Sequence, residues 1–149
     1  MEWCSGDTKM ARCREIVPDS SIVVKWFSNE IKSDEALKLL DAYTQGTVEF
    51  TVPEFLFCEV GNALRYKPDY DVQKWKIALS QLFNLHMNVI NLNEDLIART
   101  GEIAFDGKIT FYDALPVAIA ENKKIFCITA DEETQYKKLY PKKYPIELL

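Results

Sequence analysis

Asp19 ends the short apolar run Glu15-Ile16-Val17-Pro18, and Asp131 ends Ile125-Phe126-Cys127-Ile128-Thr129-Ala130. Glu59 interrupts Phe55-Leu56-Phe57-Cys58 and Val60, and Asp113 stands inside Phe111-Tyr112-Asp113-Ala114-Leu115. A carboxylate among core residues is costly unless it is paired or metal-bound. Acids brought to one place repel, so some of their pKa values rise until a cation arrives. Mg²⁺ or Mn²⁺ is the natural partner, because both prefer oxygen ligands, keep several waters and can activate one against a phosphodiester. Ser20 or Ser21 beside Asp19, and Thr129 before Asp131, are placed to hydrogen-bond the carboxylates or the metal waters. Asn62, three residues after Glu59, shares its helical face. Each acid also has a plainer use. Glu59 can cover a helix end, Asp113 can be the third-position acid of a cap begun by Thr110, and Asp131 can cap the helix that follows.

The elements that must position these acids follow from local patterns. Glu15–Pro18 reads as a strand end, while Ser20–Phe27 is undecided: its β-branched residues favour a strand, yet Ser20 can cap a helix. Ser33 reads as the cap of a helix with Ala36, Leu37 and Leu40 on its apolar face, stopped at Gly46. Val48, Phe50 and Val52 alternate as a strand. Pro53 is expected to open a helix through Arg65, and Asp71 to begin another with Val72, Trp75, Leu79, Leu82 and Phe83 as its core stripe. Val89-Ile90 is a brief strand. Asn93-Glu94-Asp95 caps a helix to Gly107, and Thr110 starts Phe111–Asn122, within which Pro116 is expected to force a kink or a later start. A strand over 125–129, a short helix over 132–139 and a last strand at 146–148 complete the chain. Strands separated by helices of this length imply an α/β chain with a parallel sheet covered on both faces. In such sheets ligands gather at the carboxyl ends of the strands, where Asp19 and Asp131 stand.

The chain has 149 residues, 48% hydrophobic and 28% charged, and a net charge of −5. These values fit one globular domain and exclude disorder or low-complexity architecture. Residues 1–14 read as a poorly ordered leader and 15–149 as a single domain. No apolar run approaches the ~18 residues of a membrane helix, and charges occupy the place of a signal peptide's apolar segment, so a cytoplasmic chain is expected. With 4 Cys, no C-x-x-C and one His, zinc-site spacings are missing. The cysteines are expected as reduced thiols, with a disulfide as the lesser reading. An acidic chain has no general field for nucleic acid. Local phosphate contacts would fall to Arg65, Lys67, Lys74 and Lys76, or to Lys137, Lys138, Lys142 and Lys143.

The motifs, taken in order, resemble the PIN domain: Asp19-Ser20-Ser21 before Val23-Val24-Lys25-Trp26-Phe27, Glu59 with Asn62 and Leu64, Tyr112-Asp113-Ala114 leading to Ala118-Ile119-Ala120, and Thr129-Ala130-Asp131. Within that family the VapC branch of toxin ribonucleases is the most similar. The resemblance implies a three-layer α/β/α sandwich around a parallel sheet of about five strands, with Ser20–Phe27 helical. It further implies an Mg²⁺- or Mn²⁺-dependent endoribonuclease acting on single-stranded RNA, a homodimer and a small VapB-like antitoxin partner. Asp19, Glu59, Asp113 and Asp131 would be the metal-binding acids, supported by Ser20, Asn62 and Thr129. The alternatives are an RNA-processing PIN nuclease without an antitoxin and a non-catalytic receiver-like module. The third strand ends Asn91-Leu92-Asn93, so the acceptor acid a receiver needs is missing there. A Ser-His-Asp hydrolase would have to use His86, which lies at a helix end and reads as packing or surface.

Overall fold

The computed structural model describes residues 13–149, so residues 1–12 of the expected leader lie outside the described residues. Arg14 already belongs to the first strand. The order is β1 (Arg14–Pro18), α1 (Ser20–Lys25), α2 (Ser33–Thr44), β2 (Val48–Pro53), α3 (Phe55–Arg65), α4 (Val72–Phe83), β3 (Asn88–Ile90), α5 (Glu94–Gly107), α6 (Phe111–Lys123), β4 (Phe126–Thr129), a π-helical turn (Glu132–Tyr136) running into α7 (Lys137–Leu139), a 3₁₀ turn (Tyr140–Lys142) and β5 (Ile146–Leu148). The five strands form one sheet in the order β3-β2-β1-β4-β5, and every pairing is parallel.

Alternation along the strands sends neighbouring side chains into two different cores. Ile16 and Ile128 join Phe50, Val52 and the inner faces of α1 to α4. Val17 and Cys127 join Ile103 of α5, Leu139 of α7 and the whole run Ala114–Ala120 of α6. The result is helix, sheet, helix in three layers. All of Ala114–Ala120 is buried, which explains why α6 reads as hydrophobic all round rather than on one stripe. Gly107, at the end of α5, closes against α7: a Cβ there would lie 2.6 Å from Leu139 Cδ2.

Local chemistry and packing decide the helix that the residues left open, as the resemblance implied, and correct several expected boundaries. Ser20–Lys25 is helical, because Ile22, Val23 and Val24 are all buried and tertiary packing outweighs a β-branched preference. Its cap is Asp19, not Ser20. At α2 the N-cap is Lys32 in the left-handed region, and the Ser33 hydroxyl instead accepts from the Glu30 N–H and donates to the Ser28 carbonyl. Pro53 is the last residue of β2, in register with Ile90, and the helix begins only at Phe55. Val72 and Phe83, expected in the core stripe of α4, are 60% and 58% exposed. Phe83 stacks on Phe57 with centroids 4.2 Å apart. Pro116 does not delay α6, which starts at Phe111 under a Thr110 cap. The missing N–H leaves the carbonyl of Tyr112, four residues earlier, without its helical donor, at a residue that is itself exposed.

Candidate active site

The strand order places a switch point between β1 and β4: connections from β1 lead toward β2 and β3, and those into β4 return from the other side. Crevices for ligands open at the carboxyl ends of strands at such a point. Asp19 follows β1 directly and Asp131 follows β4 by two residues, so this crevice is walled by acids.

Asp19 is buried, 5% exposed, although it caps a helix. Its Oδ2 accepts from the Ser21 N–H at 3.0 Å, and its Oδ1 lies 3.4 Å from Gln135 Nε2. Burial raises its pKa against these hydrogen bonds, and Asp131 adds to the rise. Glu59 comes from the second turn of α3, half-buried, with Ser20 Oγ donating to it at 3.2 Å. Burial, then the charges of Asp19 and Asp113, push it up to about 8. Asp113 is the third residue of α6, where its N–H donates to Thr110 Oγ1 at 3.1 Å. Burial first, then the charge of Asp19, raises its pKa too. Asp131 caps the π-helical turn: it accepts from the Thr134 N–H at 2.9 Å and from the Thr134 hydroxyl. Here the plainer use of the acid is realised, and it still faces the crevice.

Asp19, Asp113 and Asp131 line one cleft together with Ser20, Ser21, Lys25 and Glu30. Glu59 and Asn62 line the adjoining cleft, and Ser20 and Ala63 border both. Thr129 is buried beneath. Its hydroxyl receives the Asp131 N–H at 2.9 Å and donates to Gln135 Oε1. Gln135, which no sequence pattern singles out, ties the site together, since its amide also donates to the Asp113 carbonyl at 2.8 Å. Ser21 Oγ lies 3.3 Å from Thr129 Oγ1 and receives the Ala130 N–H at 3.0 Å.

None of the ion pairs among the described residues involves Asp19, Glu59, Asp113 or Asp131. Nor do three His, Cys, Asp or Glu side chains among them converge closely enough to enclose one ion. That donor set suits a hydrated, oxygen-seeking cation held by one or two carboxylates, and not a closed structural site. The expected phosphate-contacting residues are dispersed. Lys67 pairs with Glu30 at 2.7 Å on the cleft rim, and Lys74 pairs with Asp69. Arg65 lies over the Tyr66 ring beside a separate groove, and Lys76 is exposed on α4. Lys25, which was not among them, lines the cleft itself, paired to Glu30 at 3.0 Å. Cys13, Cys58 and Cys127 are free thiols; Cys4 lies outside the described residues. Among the described residues no helix is long and apolar enough to cross a membrane.

No curated protein matches the chain. Solved structures do. A Pyrobaculum aerophilum protein aligns with a TM-score of 0.65 and 17% identity, over 93% of this chain and 91% of that one. VapC20 of Mycobacterium tuberculosis, a sarcin-ricin-loop-cleaving toxin, aligns at 0.65 and 15% identity, over 82% and 94%. VapBC2 of Rickettsia felis, solved with a promoter DNA fragment, aligns at 0.62 and 12% identity, over 91% and 98%. At these identities the likeness is one of fold. The sequence profile described as PIN domain matches residues 16–139, from the middle of β1 to the end of α7. With the parallel sheet, its flanking helices and the acid-walled switch point in place, the chain belongs to the PIN domain family, a family of nucleases.

Proposed function

We propose that this protein is an endoribonuclease that cleaves single-stranded RNA with Mg²⁺ or Mn²⁺, as the toxin of a toxin–antitoxin pair. The observation that carries this reading is the set of four carboxylates at the switch point, three of them with raised pKa values and none with a cationic partner in ion-pair distance. Such a cluster is tolerated where a cation completes it. One or two of Asp19, Glu59, Asp113 and Asp131 would hold the hydrated ion directly, and the others would reach it through its waters. When bound, the ion supplies compensating charge to the acids and to a phosphodiester, and acidifies water.

The chain's own residues do the positioning. The Ser21 N–H and Gln135 fix the two oxygens of Asp19, Ser20 orients Glu59, and the Thr110 cap sets the first turn of α6 so that Asp113 faces the cleft. Thr129 holds Gln135 and the Asp131 backbone, and Asn62 borders the Glu59 side of the site. Arg65, Lys74 and Lys76, remote from the cut, would meet RNA phosphates, while Lys67 at the rim is held by Glu30. Residues 15–149 act as a single nuclease domain in the cytoplasm, two copies pair as a homodimer, and a VapB-like antitoxin silences it. The likeness to a toxin and to a toxin–antitoxin complex supports the antitoxin. The test is cleavage of single-stranded RNA in Mg²⁺ or Mn²⁺. Activity that stops in EDTA and in Asp19→Asn supports the reading, and full activity under either condition refutes it.

A further inference from the structure

The Glu59 cleft has an aromatic wall that the acid chemistry does not use. Tyr112 precedes Asp113 on α6, and Phe55 stands one turn before Glu59 on α3, so both rings sit at the acid-bearing ends of their helices. The two rings stack with centroids 5.0 Å apart and planes 12° from parallel, and Phe111 meets Tyr112 edge-on at 6.1 Å. Tyr112 is nevertheless 53% exposed. Part of the Tyr112 ring is therefore open to solvent. The cleft has a volume of about 500 Å³ and is lined by Ser20, Phe55, Cys58, Glu59, Asn62 and Tyr112, with Ala63 shared with the Asp19 cleft. That volume is within the usual range of small-ligand pockets.

Charge decides what this wall is for. Single-stranded nucleic acid is ordinarily held by cations along its backbone and by aromatic rings under its bases. Beside this site most cations are committed: Lys25 and Lys67 both pair with Glu30, and Lys137 pairs with Glu132 and Glu133, while Lys138, whose charge reaches Asp113, leans on the Lys108 carbonyl. Without the ion the acids repel phosphates, and with it the compensation is local to the scissile one. Affinity next to the cleavage point must therefore come largely from uncharged contacts, and a base is the uncharged, flat part of RNA. We propose that Tyr112, backed by Phe55, is the platform on which a nucleobase next to the scissile phosphate stacks, with the Asn62 amide reading the edge of that base. This rests on the ribonuclease reading. An amide carries both donors and an acceptor, as reading Watson–Crick or Hoogsteen edges requires. Tyr112 and Asn62 are thus specificity-determining residues.

The experiment follows cleavage of a randomised single-stranded RNA pool by the full chain in Mn²⁺, with sequencing of the cut sites. In parallel, quenching of a 2-aminopurine-substituted RNA reports stacking. Tyr112→Ala is expected to lower kcat/KM about 5- to 150-fold, mainly through KM, and to flatten the base preference beside the cut. Tyr112→Phe, which keeps the ring, is expected to restore both to within about twofold. Asn62→Ala changes which base is preferred without loss of quenching. Wild-type activity together with a Tyr112→Ala variant of unchanged kcat/KM and base profile overturns the platform. So does a Tyr112→Ala variant that shifts the oligomeric state in light scattering, which would make the wall a contact between two copies. Wild type that quenches 2-aminopurine but cuts no RNA keeps the platform and removes the nuclease reading. Neither quenching nor cutting removes both.

Discussion

Glu30 and Glu59 border adjoining parts of one crevice, yet the protein holds one carboxyl at about 2 and the other at about 8. Burial pushes both up. At Glu30 it is outweighed by hydrogen bonds from Lys67, Ser28 and Lys25. At Glu59 it is reinforced by Asp19 and Asp113, with only the Ser20 hydroxyl opposing. The difference is one of company as well as of depth, Glu59 being the more deeply buried. The same contrast separates the crevice from the α5–α6 surface, where Glu121 is lowered by Arg99 at 2.6 Å. Glu30 and Glu121 have cationic partners, whereas the four half-buried or buried acids at the switch point have none, and an exogenous cation is the simplest completion.

The largest break in that contrast is Asp19→Asn, which keeps shape and removes the charge that both Glu59 and Asp113 feel. RNA cleavage should fall by more than the roughly 10- to 100-fold that follows loss of an outer-shell partner of a metal. The metal-free variant should melt no lower than wild type at neutral pH, because repulsion is relieved. A variant that both cleaves normally and melts lower would make Asp19 a helix cap and nothing more.

The next effect is on stability against pH. In the unfolded chain Glu59 titrates near its ordinary 4.5, and in the fold near 8. Between those values the folded state holds the extra proton, so its stability is fully present below about pH 4.5 and is lost as pH rises to about 8. Asp19 and Asp113, shifted in the same direction, act with it. The loss is at most about 5 kcal/mol for Glu59, and less where water relaxes around the carboxylate. The metal-free protein should therefore melt higher at pH 5 than at pH 8. Mn²⁺ at a hundred times its Kd should return about 2.7 kcal/mol at pH 8. A melting temperature that rises with pH, or that ignores the ion, would show that the acids are not coupled as described.

How much of this was readable in the sequence depends on how local the cause is. Asp19 and Asp131 were visible because a strand end is marked by the chain itself, and Glu59 and Asp113 because a charge stands out in apolar text. The helical state of Ser20–Lys25 was not decided by its residues, since its β-branched run becomes helical only when both the sheet and α3 cover it. Pro53 suits a helix's first turn as well as a strand's last position, and only pairing with Ile90 settles it. The exposure of Val72 and Phe83 depends on what does not pack against α4. Gln135 sits in the polar stretch Glu132-Glu133-Thr134-Gln135, and its burial arises from contacts with Asp19, Asp113 and Thr129, all distant in sequence except the last.

Gln135 sharpens the comparison from the neutral side. Gln135→Leu conserves volume but leaves Thr129, the Asp113 carbonyl and one Asp19 oxygen without their partner. Buried groups so orphaned cost about 1–3 kcal/mol. Cleavage should drop about 10- to 100-fold, the range for outer-shell residues, measured alongside the melting temperature. Loss of stability with unchanged kcat in excess metal would confine Gln135 to the fold.

Lys67 gives the smallest effect and tests the paired side. Its bond to Glu30 is short, 2.7 Å, but both side chains are about one-third exposed, at 31% and 30%. Such pairs are screened by water and salt and contribute about 0–1 kcal/mol. Lys25, only 12% exposed, remains on the other carboxylate oxygen when Lys67 is removed, so Glu30 keeps a partner. Lys67→Ala should thus cost under about 1 kcal/mol, and the cost should shrink in high salt as screening grows. A double-mutant cycle with Glu30→Gln isolates the pair from the rest of the rim. If Lys67→Ala instead cost as much as Gln135→Leu and also weakened RNA binding in low salt, Lys67 would be reaching a phosphate from its place beside Glu30. The paired and unpaired halves of the crevice would then act on the same substrate, one through a lysine and the other through its bound cation.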